Sequence, residues 1–228
     1  LTEYSPSQRA TVTLTGAAVF AALAALLTLA KASVPFPLIP YLQIDFSEIP
    51  ILMAFFLFGP VAATISTVIQ WIFLNFQGSD APLGPAIKFV AIMSTLGGFW
   101  FGNVLYQRFK GKTARPTLAL SMILSNAIVW RIVAMTVVNY VVLLYIAPVF
   151  FGADYLGFAK VTLENLPLGL HLTSMADVLT YTLLFTALYN LVNLLIAAVP
   201  AELIVSPITT SFKHITSVEA WLARSLKS

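Results

Sequence analysis

The chain has 228 residues, of which 59% are hydrophobic and 9% charged, where a soluble domain carries about 25% charged residues. Its net charge of +3 is too small and too scattered for a nucleic-acid surface, and the absence of cysteine excludes disulfides and thiolate metal sites. A mean hydropathy of +0.91 leaves a membrane protein.

The first apolar stretch runs from about Thr11 to Ala30. Its core is as short as that of a signal peptide, but further spans follow and no cleavage context stands out, so it reads as a membrane helix. On it Ala17, Ala21 and Ala25 recur at four-residue spacing, with Ala18 and Ala22 beside them. Such a ridge lets another helix approach closely, either inside the bundle or as a docking face for a partner.

Next comes Val34-Pro35-Phe36-Pro37-Leu38-Ile39-Pro40, too rich in proline for a helix. The segment from Val34 to Ser47 is therefore expected to be an irregular loop. The apolar run Ile49–Phe76 is interrupted by Gly59-Pro60 and divides there into two helices. Stretches 85–106, 118–146 and 175–199 complete six.

With six helices, the basic Arg108–Arg115 segment and the basic C-terminal tail lie on one side. Asp45, Glu48, Asp80, Asp154 and Glu164 lie on the other. By the positive-inside rule both termini are cytoplasmic and the long first loop is outside. The expected fold is thus an all-α membrane protein with six transmembrane helices. A long outer loop between helices 1 and 2 caps it. Residues 1–212 form the six-helix membrane domain and 213–228 a cytoplasmic tail with room for a short amphipathic helix. The loop 147–174 folds over one face.

Within the fifth and sixth helices, Asn139, Asn190 and Asn193 are amides at membrane depth, costly unless paired. Asn190 and Asn193 share one helix face. Either they tie helices together or, with Asn139, they converge on an outward-opening pocket for a small polar-edged ligand. Arg131, also within the fifth helix, is a functional candidate by its depth; its structural alternatives are snorkelling and pairing inside the bundle. Lys88 and Asp177 lie near helix ends, where water reaches them. Gly111-Lys112-Thr113 resembles the end of a phosphate-binding loop, but the required upstream glycine is Tyr106. No catalytic or metal constellation can be assembled around His171 or His214.

The stretch Tyr41-Leu42-Gln43-Ile44-Asp45-Phe46-Ser47-Glu48-Ile49-Pro50 resembles the Leu-Lys-Leu-Asp-Phe-Ser-Asp-Ile-Pro of riboflavin-binding S components of energy-coupling factor transporters. Phe58-Gly59-Pro60, Asn139-Tyr140 and Asn190-x-x-Asn193 resemble that family's motifs in the same order. The resemblance implies a vitamin-binding subunit in the plasma membrane. It works with a membrane coupling (T) subunit and two ATPase subunits, has no enzyme activity of its own, and takes riboflavin as cargo rather than cofactor. It implies ligand contacts from Tyr41, Leu42, Gln43, Asp45, Phe46, Lys88, Asn139, Asn190 and Asn193, and partner docking on Ala17, Ala21 and Ala25. Gln43 and Asn193 stand where the family has lysine, which removes two charges and keeps hydrogen-bonding capacity. Another vitamin is the alternative within this class. An intramembrane enzyme acting on a lipid is the alternative outside it.

Overall fold

The computed structural model describes residues 5–77, 81–109, 116–152 and 155–211. The tail 213–228, Asp80, Asp154 and the Gly111-Lys112-Thr113 segment lie outside the described residues.

Helix α1 (Pro6–Leu29) starts earlier than its apolar stretch. Ser5 caps it, accepting from the Gln8 amide while the Gln8 side chain accepts from the Ser5 amide, and Pro6 takes the first position, where no amide proton is needed. The expected irregular loop is instead a two-stranded antiparallel hairpin, β1 (Ser33–Phe36) and β2 (Ile39–Asp45). Proline forbids a helix there but tolerates an edge strand, and a two-stranded ribbon has two edges. The fold is therefore mostly helical, with one small sheet among the described residues.

Helices α2 (Glu48–Phe58) and α3 (Pro60–Asn75) are separated at Gly59, whose φ of 94° suits glycine. The Gln70 side chain, late in α3, donates to Ser47 at the start of α2 at 2.7 Å, so the two helices fold back on each other. Helix α4 spans Leu83–Phe109 and α5 spans Pro116–Val141. A π turn, Val142–Ile146, carries α5 into the short α6, Ala147–Phe151. The widened turn lies just before Pro148, which cannot donate to the helix ladder. Part of the expected outer loop is helical too, as α7 (Tyr155–Glu164). The last helix, α8 (Met175–Ser211), runs past Pro200 and Pro207, well beyond the expected end at 199. Proline is tolerated in membrane helices where neighbours satisfy the freed groups.

Among the described residues, four helical segments are long and apolar enough to cross a membrane: Ser7–Leu29, Leu83–Phe109, Ala119–Phe150 and Met175–Ile208. Helices α2 and α3, of 11 and 16 residues, are apolar but shorter. Helix α2 is buried on nearly every side. Ile51, Leu52, Ala54, Phe55 and Phe56 pack among residues of α1, α4, α5 and α8, and Phe99 meets both Phe55 and Phe56 at ring-centroid distances of 5.5 Å. A second core, under the hairpin, joins Phe36, Ile39 and Ile44 to Ala159 and Leu163 of α7 and to Val178 and Phe185 of α8.

Lipid is as apolar as leucine, so close contact rather than hydrophobic burial holds such helices together. The closest is between α4 and α5. A Cβ placed on Gly98 would lie 2.5 Å from the Ala127 Cα, and one on Gly102 would lie 2.8 Å from the Ile123 Cα. Gly98-x-x-x-Gly102 is a small-residue motif that the sequence reading passed over.

The alanine ridge on α1 faces inward. Ala17 and Ala21 are 0% and 1% exposed, and the Ala17 carbonyl accepts from Ser66 of α3 at 2.9 Å. Their expected role as a docking face is corrected to an internal seam. Ala25 is half-buried, and of the neighbouring alanines Ala18 and Ala22 are exposed.

Candidate functional site: a buried ion-pair network beneath the hairpin

Where the hairpin meets the bundle, four charged side chains come together, two buried and two partly buried. Glu48 occupies the first turn of α2, where the helix dipole favours a carboxylate. It is 3% exposed and meets Arg131 of α5, which is 1% exposed. The pairing is two-pronged: Nη1 to Oε2 at 2.6 Å and Nη2 to Oε1 at 3.0 Å. Arg131 also donates from Nη1 to the Thr95 hydroxyl of α4 and from Nε to the Asn190 Oδ1 of α8, each at 3.2 Å. Asn190 completes its set by donating to the Thr186 carbonyl. Arg131 is thus paired inside the bundle.

Asn193 joins this pair to the hairpin. Its Nδ2 donates to Glu48 Oε1 at 2.8 Å, and its Oδ1 accepts from the Asp45 backbone amide at 3.1 Å. Asp45 forms the second ion pair, with Lys88 of α4. Lys88 also donates to the Ser47 hydroxyl at 2.7 Å, and Asp45 Oδ1 accepts from the Ser47 amide at 2.7 Å. Ser47 precedes α2 but does not cap it with its side chain. Its hydroxyl serves Lys88 and Gln70 instead. Nearby, the Tyr189 hydroxyl donates to the Gln43 carbonyl at 2.7 Å. One network therefore ties α2, α3, α4, α5 and α8 to β2, with two positive and two negative charges in balance.

Burial raises the Asp45 pKa, but the Lys88 charge and hydrogen bonds from Lys88 and Ser47 outweigh it and hold the carboxyl below its usual range. A lowered folded pKa stabilises at pH above the unfolded value, roughly 3.9, and that stabilisation is lost as pH falls through the folded value. Hairpin protection factors in hydrogen exchange should therefore hold from about pH 7 to about pH 4 and fall below that. A loss already complete by about pH 6 would contradict the pairing.

The expected site residues divide in three. Asp45, Lys88, Asn190 and Asn193 belong to the network. Lys88, expected to reach water, has only 16% of its side chain exposed because Asp45 and Ser47 draw it in. Leu42 packs against the core under the hairpin that also holds Phe36 and Tyr189, whose rings are 5.6 Å apart and inclined at 65°. Gln43 is exposed and bonds within the hairpin, Phe46 is half-buried, and Tyr41 is exposed with its ring 6.0 Å from Phe158. Asn139 stands apart. Its Nδ2 donates to the Met135 carbonyl of its own helix. Eight residues of α-helix separate it from Arg131 by about 12 Å of rise. Asn190 and Asn193 meet in the network, and Asn139 is not part of it.

The sequence reading missed Glu48, Ser47, Gln70, Thr95 and Tyr189 as members. A signal existed for Glu48, because a membrane-depth arginine needs an acid and Glu48 directly precedes an apolar run. The arrangement contains no activated nucleophile. It offers fixed donors and acceptors beside an aromatic and aliphatic layer between the hairpin and α8. Among the described residues no cluster of three His, Cys, Asp or Glu can hold a metal.

A family model described as the substrate-specific component of ECF transporters matches residues 12–205. The chain is 33% identical over 123 residues to the riboflavin transporter RibU of Staphylococcus aureus (strain TCH60), covering 54% of this chain and 60% of that protein. It is 35% identical over 117 residues to the riboflavin transporter FmnP of Bacillus subtilis (strain 168), covering 48% of this chain and 56% of that protein. The matches thus span less than two thirds of either relative. A solved S component of a bacterial ECF transporter superposes with a TM-score of 0.61 at 24% identity, covering 90% of this chain and 99% of that one, which shows a shared fold.

Proposed function

Because the chain belongs to the family of ECF transporter substrate-specific components, we propose that it is the membrane-embedded subunit that captures riboflavin for import. The observation that carries the ligand is the likeness to two riboflavin transporters, at 33% and 35% identity. The geometry supports it. An isoalloxazine is a flat aromatic plate with one polar edge. The layer of Phe36, Leu42 and Tyr189 suits the plate, and Asp45, Lys88 and Asn193 stand close by for the edge. The flavin enters beneath the hairpin and takes over bonds that now hold β2 to the bundle. Asn193 in place of lysine serves carbonyls and ring nitrogens alike, since an amide both donates and accepts.

The hairpin faces the outside of the plasma membrane, and both ends of the chain are cytoplasmic. Import against a gradient draws on a membrane coupling subunit and two ATPases. The coupling subunit approaches the lipid-facing side of α1, where Ala18 and Ala22 are exposed four residues apart. Ala22→Trp is expected to block assembly with the coupling subunit and leave riboflavin binding intact. Ala21→Trp, on the buried seam, is expected to disrupt folding. Co-purification of each variant with the coupling subunit, beside its riboflavin titration, checks this. Normal assembly of Ala22→Trp would move the docking face elsewhere. The ligand itself is tested by the absorption spectrum of protein purified after growth with riboflavin. A flavin band that co-elutes with the protein supports the reading, and a colourless protein that also fails to take up added riboflavin refutes it.

A further inference from the structure

Helix α7 has three faces, roughly 100–150° apart around its axis. Ala159 and Leu163, 2% and 1% exposed, pack against the hairpin and α8. Lys160 and Glu164 form an exposed ion pair at 3.7 Å. The third face carries Phe158 and Val161, 56% and 57% exposed. A water-facing helix of ten residues has no reason to hold two large apolar side chains there.

The position of α7 supplies a reason. The membrane-crossing segment Ala119–Phe150 ends with Val149 and Phe150, 81% and 56% exposed. The next five residues reach at most about 17 Å, so α7 begins at the end of a lipid-facing surface. Tyr41, an aromatic with a polar tip of the kind that favours the membrane interface, lies against Phe158. A lipid surface satisfies the apolar and charged faces together: the first dips into the headgroup–acyl boundary and the second stays in water.

We propose that α7 is a membrane-surface helix, seated by Phe158 and Val161 in the leaflet on the hairpin side. Through Ala159 and Leu163 this seating also braces the hairpin against the bundle. The chain has no cysteine, so the single-cysteine variants Val161→Cys and Lys160→Cys can each carry an environment-sensitive fluorophore in full-length protein reconstituted into phosphatidylcholine vesicles. The label at 161 is expected to emit at shorter wavelength. Acyl-chain nitroxide should quench it several-fold more than the label at 160, and aqueous iodide several-fold less. Both substituted side chains are exposed, so neither change disturbs the core. Equal iodide quenching at the two positions would place α7 in water and overturn the proposal.

Discussion

Arg131→Met is expected to destabilise the protein by about 3–5 kcal/mol, because it leaves a buried carboxylate without its partner. Glu48 is almost fully buried, and Arg131 supplies two of the hydrogen bonds to it. The same change removes donors from Thr95 and Asn190. Glu48→Leu alone should be comparably harmful, since it strands the guanidinium. The double variant should recover much of the loss, because an apolar pair of similar volume avoids the desolvation of both charges. Thermal unfolding of the four proteins in one detergent completes the cycle. Strictly additive losses would mean that the two side chains do not depend on each other.

Gly98→Ala is expected to cost about 1–3 kcal/mol or more, although alanine is the better helix former by about 1 kcal/mol. The added carbon would fall 2.5 Å from the Ala127 Cα and 3.0 Å from the Ala127 amide nitrogen, and backbone cannot rotate aside. Gly97→Ala is the internal control. Its new carbon would meet only the Trp130 ring, at 3.6 Å, and should be neutral or stabilising. Equal unfolding temperatures for the two variants would show that α4 and α5 are not locked at Gly98.

The four long apolar helices and the break at Gly59-Pro60 were legible in the sequence because both follow from local rules. A long apolar run needs lipid, and proline after glycine ends a helix. The hairpin was not, since proline tells what the chain avoids and not which strand it pairs with. The inward turn of Ala17 and Ala21 was equally hidden. Ala17/Ala21 and Ala18/Ala22 are the same pattern shifted by one residue, about 100° around the helix, and composition cannot choose between them. For the site, depth alone marked Arg131, Asn190 and Asn193 as residues in need of partners. The partners themselves are distant: Glu48 lies 83 residues from Arg131 and 145 from Asn193. Asn139 carries the same amide about 12 Å further along α5 than Arg131, and it bonds to its own helix.

The most direct test of the account is a titration of riboflavin fluorescence with the purified protein in detergent or nanodiscs, with Asn193→Leu run beside the native chain. Saturable quenching at one riboflavin per protein is expected. Binding in the variant should be weaker by about 1–3 kcal/mol, the cost of leaving a buried polar group without its partner. Folded native protein that gives no saturable quenching would contradict riboflavin capture.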